Sequence, residues 1–537
     1  MTGYGRIGVL AENVNMYIDN LSYTMPHGGN VDDGVTEYVF DDELYGYISH
    51  LEIESLGGNT LIGVNGSNKY ISTDKGMTWT DTKDYTDVGG KGLSYPSILE
   101  ISEGVYIMVY ADTFEVYRST DYMKTWTKIG NIIPDIGGNR TEYGSWQHLI
   151  HVNSLTKVVL DDGTTRIFLP IGVRRYDEIG RLSNGHYTRI FYSDDGGATW
   201  TESENDTRDI TPNYTENYDT FFSWAEAKVI KCSDGTLRMY NTRSYDCVVY
   251  TESDDGGVTW KRLESIPYLQ NGQTSFGVAE DPENLGTYYM VCLNAKTFSY
   301  NSMQPRNRLT LVKSTDGKNW EFVTDVERFT SFSSYLNPEL YQIIDPSISI
   351  IDGYMYITMG RSYHGTSGGH GEQSVLLVRM EIDKLTKTSE WNDSNIADPT
   401  RAKTIEIEEM PQNIFGVGDL FVVYGGKLKI TAFNGNVTYE EPRNLAIATK
   451  EPNMYAKGTY NVSLMNMYAQ YVSYDIEVTD NYNITWNIVG QGEVTPYFVK
   501  IAKGLKRTFT AVPEEGWKID KVLVNGEKIR VKDNTFS

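Results

Sequence analysis

Four octets in the chain read almost alike. They are STDKGMTW at 72–79, STDYMKTW at 119–126, SDDGGATW at 193–200 and SDDGGVTW at 253–260. A fifth copy, STDGKNW at 314–320, is one residue shorter. The leading serines are separated by 47, 74, 60 and 61 residues, enough for a four-stranded sheet with its loops and more than one hairpin needs. Each part of the octet has a turn's job. An Asp such as Asp195 accepts bonds from N–H groups of its own turn. A Gly such as Gly197 takes the positive φ that a side chain would make costly. The closing Trp (Trp79, Trp126, Trp200, Trp260, Trp320) opens the next strand with a ring large enough to fill the space between two sheets.

Hairpins precede most of the octets. PSILEISEGVYIMVYAD at 96–112, AEAKVIKCSDGTLRMYNTRS at 225–244 and PSISIIDGYMYITMGRS at 346–362 each flank a Gly-containing turn with β-branched and aromatic residues. No stretch carries helical periodicity of any length. Radial repetition of such units predicts an all-β chain built on a six-bladed β-propeller, five blades with an octet and one without near 330–385, followed by small C-terminal β domains. The expected boundaries are residues 1–40 as an extension, closing strand or attachment segment, 41–390 as the propeller, 400–475 as a small β module and 476–537 as a terminal module. The polar, turn-rich KTSEWNDSNIADPT marks the end of the propeller.

The octet resembles the Asp box, and the order of hairpins around it is similar to the sialidase (neuraminidase) superfamily of six-bladed propellers over roughly residues 45–385. The terminal stretch, with turns GQG, EEG and NGE, resembles divergent bacterial β-repeat modules, which act as spacers or weak binders. The resemblance gives the Asp-box residues no catalytic role. It implies an exo-acting glycoside hydrolase on acidic sugars. The substrate's carboxylate calls for Arg, whose planar fork matches it. It would repel a carboxylate nucleophile, so the family uses Tyr, activated by Glu, with an Asp as acid and base.

Carried onto this sequence, the pattern falls as follows. WAEAKVIKCSDGTLRMYNTRS offers Glu226 as the partner of the Tyr and, seventeen residues on, Arg243 as a carboxylate-binding group. Arg308 follows 65 residues later, with Arg306 as its rival, and Tyr341 lies 33 residues beyond Arg308, with Tyr335 as the alternative. In the first blade, His50 stands where the family's first Arg is expected, and the following VNGSN has no Asp. Asp112 is the substitute for the acid, and Arg118 or the Arg174–Arg175 pair for the cation. The chemistry calls for no cofactor and no metal. His364 and the GTSGGHGE segment read as a polar loop.

With 48 basic against 72 acidic residues the net charge is −24, which argues against nucleic acid as a partner; the resemblance implies glycans as partners. No apolar run reaches the roughly 20 residues of a membrane span. The three cysteines, Cys232, Cys247 and Cys292, have no metal-ligand spacing and read as buried thiols. The opening MTGYGRIGVLAENVNMYIDN has no basic stretch followed by an apolar core, so no signal peptide is expected in this chain. An extracellular or virion-associated location is expected. The rival to the hydrolase is a non-catalytic glycan- or receptor-binding protein, such as a phage tail or virion component with cell-surface partners.

Overall fold

A computed structural model of the chain describes residues 36–40, 51–65, 68–82, 96–110, 113–133, 146–149, 154–175, 187–211, 225–242, 247–271, 275–294, 308–328, 341–363, 373–385, 388–391, 395–497 and 499–537. They are almost wholly β. The chain divides into two compact units, Met1–Asp398 and Pro399–Ser537.

The first unit contains six antiparallel sheets among the described residues. Sheet I runs Glu52–Ser55, Leu61–Asn65, Asn68–Ser72, Thr80–Asp81, and sheet II Pro96–Ser102, Val105–Tyr110, Glu115–Ser119, Thr127–Asn131. In sheet III, Trp146–Leu149 and Thr156–Val159 both pair with the long strand Thr165–Arg175, followed by Tyr187–Ser193 and Thr201–Glu202. Sheet IV is Ala225–Lys231, Leu237–Thr242, Cys247–Ser253, Glu264–Gln270, and sheet V Gly277–Glu280, Tyr288–Leu293, Arg308–Ser314, Glu321–Arg328. Sheet VI is Tyr341–Ile351, Tyr354–Tyr363 and Gln373–Glu381. Its outer strand comes from the other end of the unit: Thr36–Phe40 pairs antiparallel with 375–379. Of the roles open to residues 1–40, the closing strand is the one these five residues take.

Apolar residues explain the stacking. Middle strands such as Tyr288–Leu293 are buried at every position, as expected of a sheet covered on both faces. The buried clusters form layers, each shared by one pair of sheets: Ile62 and Val64 with Met108 (I–II), Val109 with Leu169 (II–III), Phe168 with Met239 (III–IV), Tyr240 with Met290 (IV–V), Leu311 with Ile357 (V–VI) and Leu377 with Ile53 (VI–I). The first strands pack in the same cyclic order, and that of sheet VI returns to that of sheet I.

The Asp boxes fasten this ring. In the third box, Ser193 Oγ donates to Asp195 Oδ1 (2.8 Å) and accepts from Gly197 N (2.8 Å), while Asp195 accepts from Thr199 N (2.9 Å) and Thr199 Oγ1 (2.6 Å). The first, second and fourth boxes repeat this scheme. In the fifth, Asn319 takes the place of Thr. A second device ties each of four boxes to the preceding sheet. Arg118 of sheet II donates to Gly196 O (2.5 Å), and Arg166 of sheet III to Gly256 O (2.6 Å). Arg238 of sheet IV donates to Lys318 O (3.4 Å), and the Tyr240 hydroxyl to Gly317 O. Arg379 and Tyr356 of sheet VI both donate to Lys75 O of sheet I, at 2.7 and 2.8 Å.

Past sheet VI the chain turns back along sheets IV and V. Trp391 donates to Trp320 O (2.8 Å). The buried amides of Asn294 and Gln270 each make reciprocal bonds with the backbone of residues 395–398. The second unit is also β. Ala402–Glu409, Lys427–Ala432 and Val437–Glu440 form one sheet, and Ile414–Gly416, Gly458–Met465, Tyr471–Thr479 and Ala446–Ile447 another, around Phe415, Leu428, Val462 and Ile476. Short strands from Asn481–Ile484 to Thr535–Phe536 complete it.

Candidate functional site

Strand direction decides which residues share an end of the ring. In an antiparallel sheet whose strands follow chain order, the start of strand one, the end of strand two and the start of strand three lie together. The Asp boxes follow strand three and lie at the opposite end. Glu226 is the second residue of the first strand of sheet IV, Arg308 the first residue of the third strand of sheet V, and Tyr341 the first residue of sheet VI. All three therefore stand at the end away from the boxes. The second strand of sheet IV finishes at Thr242 on that end, next to Arg243, which itself lies outside the described residues. Asp112, His50, Arg306, Tyr335 and His364 lie outside them as well. Arg174 and Arg175 close the second strand of sheet III at the same end, opposite Gln147 and Trp146. Arg118 belongs to the other end, where it holds the box of sheet III by its carbonyls.

Arg308 is 8% exposed, and its surroundings are defined. Its Nε donates to Asp325 Oδ1 at 2.8 Å, and the same oxygen accepts from Thr310 Oγ1 at 2.8 Å. Asp325 stands opposite Thr310 on the neighbouring strand, and a one-residue register shift there moves Leu309 to pair with Glu327. The guanidinium is thus held through its Nε edge, and an Arg held this way can present its terminal nitrogens to a planar anion. Burial pushes the thiol of Cys292 up to about 12, against the pull of the Arg308 charge, so it is an inert part of the core.

Glu226 sits on an irregularity. Ala225 pairs with Thr242 and Lys228 with Tyr240, so Glu226 and Ala227 together face Asn241. Such a bulge bends its strand and re-aims a side chain. Sheet VI has another: Ile344 pairs with Gly360 and Ser347 with Thr358, leaving Asp345 and Pro346 opposite Met359. Asp345 has φ +45° and accepts from Ser275 Oγ at 3.3 Å. Asp345 lies one residue ahead of the hairpin expected at 346–362, inside the register shift between Ile344 and Ser347.

The most perturbed carboxyl lies elsewhere. Burial, then the charges of Glu52 and Glu100, push Glu54 well above the usual carboxylate range. Glu54 is the third residue of the four in its strand, toward the box end, and so away from the end that holds 226, 308 and 341. Among the described residues no group of three or more His, Cys, Asp or Glu is placed to hold a metal ion, and no helix is long and apolar enough to cross a membrane.

The repeat arrangement has a counterpart among known families: the model for the BNR repeat-like domain matches residues 107–350. That stretch is similar to the BNR repeat-like domain. An anhydrosialidase from Macrobdella decora is 30% identical over 112 residues, 21% of this chain and 12% of the relative, so the match takes in about an eighth of that protein. Two solved structures are similar at lower identity. The GH93 α-L-arabinofuranosidase of Fusarium graminearum, in complex with arabinobiose, is 14% identical, covering 67% of this chain and all of its own, with a TM-score of 0.43. The Trypanosoma rangeli sialidase in complex with 2,3-difluorosialic acid is 15% identical, covering 65% and 57%, with a TM-score of 0.37.

Proposed function

We propose that this chain is a sialidase-like glycoside hydrolase, exo-acting on acidic sugars of surface glycans, in which the six sheets are the blades of a β-propeller and residues 400–475 and 476–537 form appended β modules. The observation that carries the reading is the shared placement of Glu226, Arg308 and Tyr341 at one end of three successive sheets, opposite the boxes. The BNR match and the anhydrosialidase likeness support it.

The chemistry assigned to these residues follows from the substrate class. Arg243 and Arg308 hold the sugar's carboxylate. The Tyr341 oxygen attacks the anomeric carbon, passing its proton to Glu226, and a carboxyl group, for which Asp112 is the candidate from the sequence, serves as the acid toward the leaving sugar. The place of action is extracellular. The rival, a non-catalytic virion component, gains no support from relatives that carry glycosidase names.

The test is product release from 4-methylumbelliferyl α-sialoside, with an α-L-arabinofuranoside as the second arm. Wild-type chain is expected to release free sialic acid. Glu226→Gln and Arg243→Ala are expected to lower kcat/KM by roughly 100-fold or more. Unchanged turnover in both variants sinks the residue assignment, and turnover of the arabinoside alone sinks the acidic-sugar class.

A further inference from the structure

The acid–base carboxyl of this site need not come from the loop that holds Asp112. We infer that Asp345 is the group that protonates the leaving sugar and then deprotonates the incoming water. The inference rests on the hydrolase reading above and deepens it by naming its acid.

Three observations converge on Asp345. First, its place repeats that of Glu226. Both are the leading residue of a two-residue bulge in the first strand of a sheet. The residues facing those bulges, Asn241 and Met359, each stand six positions after the turn glycine of their hairpin, Gly235 and Gly353. Sheets IV and VI therefore carry a carboxyl residue at the same height, with sheet V and its Arg308 between them.

Second, the backbone there is unusual. Among the described residues Asp345 is the one non-glycine that combines a positive φ with a place inside a strand. Left-handed backbone is strained for a residue with a side chain, least for Asn and Asp. The next residue, Pro346, has no N–H, so no ladder bond is given up where the strand buckles. Strained positions persist where the surroundings over-determine them, often at working sites.

Third, the carboxyl is half-buried and anchored from the neighbouring sheet. Ser275, just ahead of the first strand of sheet V, donates to its Oδ1 at 3.3 Å. An anchored carboxyl on a rigid strand and in reach of solvent is a group that can transfer a proton to a glycosidic oxygen brought within hydrogen-bond distance.

The step balances as follows. Asp345 gives its proton to the glycosidic oxygen as the bond from that oxygen to the anomeric carbon breaks, its electron pair going to the oxygen. The Tyr341 oxygen forms the new bond to carbon and loses its proton to Glu226. Water then adds to the same carbon, its proton going to Asp345. The bond to Tyr341 breaks with its pair on the phenol oxygen, which recovers the proton from Glu226.

The experiment uses the leaving group as its probe. An aryl glycoside such as the 4-methylumbelliferyl α-sialoside leaves with little help, whereas a sialyl-disaccharide needs its oxygen protonated. Asp345→Asn, and Asp345→Gly as the variant that relaxes the backbone, are expected to lower kcat/KM on the disaccharide about 100-fold or more. On the aryl glycoside the loss should be tenfold or less, and the alkaline limb of the pH–rate profile should disappear. Equal losses on both substrates, no loss on either, or the same split produced by Asp112→Asn instead, overturn the inference while leaving the hydrolase reading intact. A wild-type chain that turns over neither substrate overturns both.

Discussion

Met123 holds a backbone angle that three of its counterparts leave to glycine. It has φ +61°, against +79° at Gly76, +90° at Gly197 and +89° at Gly257. The turn forces the angle because Met123 N must donate to Ser119 Oγ (3.0 Å). The side chain does not waste the position, since it is 8% exposed and packs in the layer with Ile62 and Tyr106. Relieving the left-handed strain returns about 1 kcal/mol. Stripping a buried Met costs about 2–3 kcal/mol before any cavity, and a glycine loosens the unfolded chain further. Met123→Gly is therefore expected to destabilise the first unit by about 1–2 kcal/mol, read as a lower denaturant midpoint. A raised midpoint would mean that strain outweighs packing at this turn.

At the scale of the element, the box is a carboxylate wrapped in donors. Burial pushes Asp195 up, and the Thr199 hydroxyl and N–H, with Ser193, pull it further down, so that it ends below the usual carboxylate range. Asp74, Asp255 and Asp316 follow the same balance. Asp121 is taken to about 2, chiefly by the Thr125 hydroxyl. A folded-state value below the unfolded one, near 3.9, means stability that is present above about pH 4 and drains away as pH falls through the folded values toward 2. Thr199→Val keeps the shape and removes one donor. It is expected to cost about 1 kcal/mol at pH 7 and progressively less as pH falls through the lowered folded value of Asp195, until the carboxyl is protonated with or without the hydroxyl. A stability difference that persists unchanged at pH 2 would assign the loss to packing instead. The boxes were legible in the sequence because every bond in them spans four residues or fewer, so residue types at fixed offsets announce them. The arginine clamps were not, because Arg379 meets Lys75 across 304 residues and no local pattern records the pairing. The site falls between these cases. The resemblance, followed along the hairpins, singles out Glu226 and Arg308 as candidates, but the partner of Arg308, Asp325, sits across a register shift that spacing alone does not reveal. Asp345 was hidden for the same reason, since a bulge changes the count by one residue without changing the hydrophobic pattern.

For the first unit as a whole, the consequential feature is that its last sheet is completed by its first described strand. Thr36–Phe40 covers the edge of Gln373–Glu381, and the same sheet reaches sheet I through Arg379, Tyr356 and the bond from Leu51 N to Thr358 Oγ1. Sheets I and VI also share the apolar layer of Leu51, Ile53, Leu61, Tyr356, Val375 and Leu377. A ring closed this way gains little from any one sheet until both ends meet, because closing so long a loop carries its entropy cost before the final layer forms. Removing residues 1–40 takes away the ladder along 375–379 and leaves an apolar strand with unpaired N–H and C=O groups at its edge. The shortened chain is expected to lose several kcal/mol, with one unfolding transition for the first unit displaced as a whole rather than a local early phase, and to self-associate at micromolar concentration. Calorimetry with light scattering checks both parts. If the shortened chain melts where the full chain does and stays monomeric, the outer strand is an ornament on a ring already closed by the contacts between sheets VI and I.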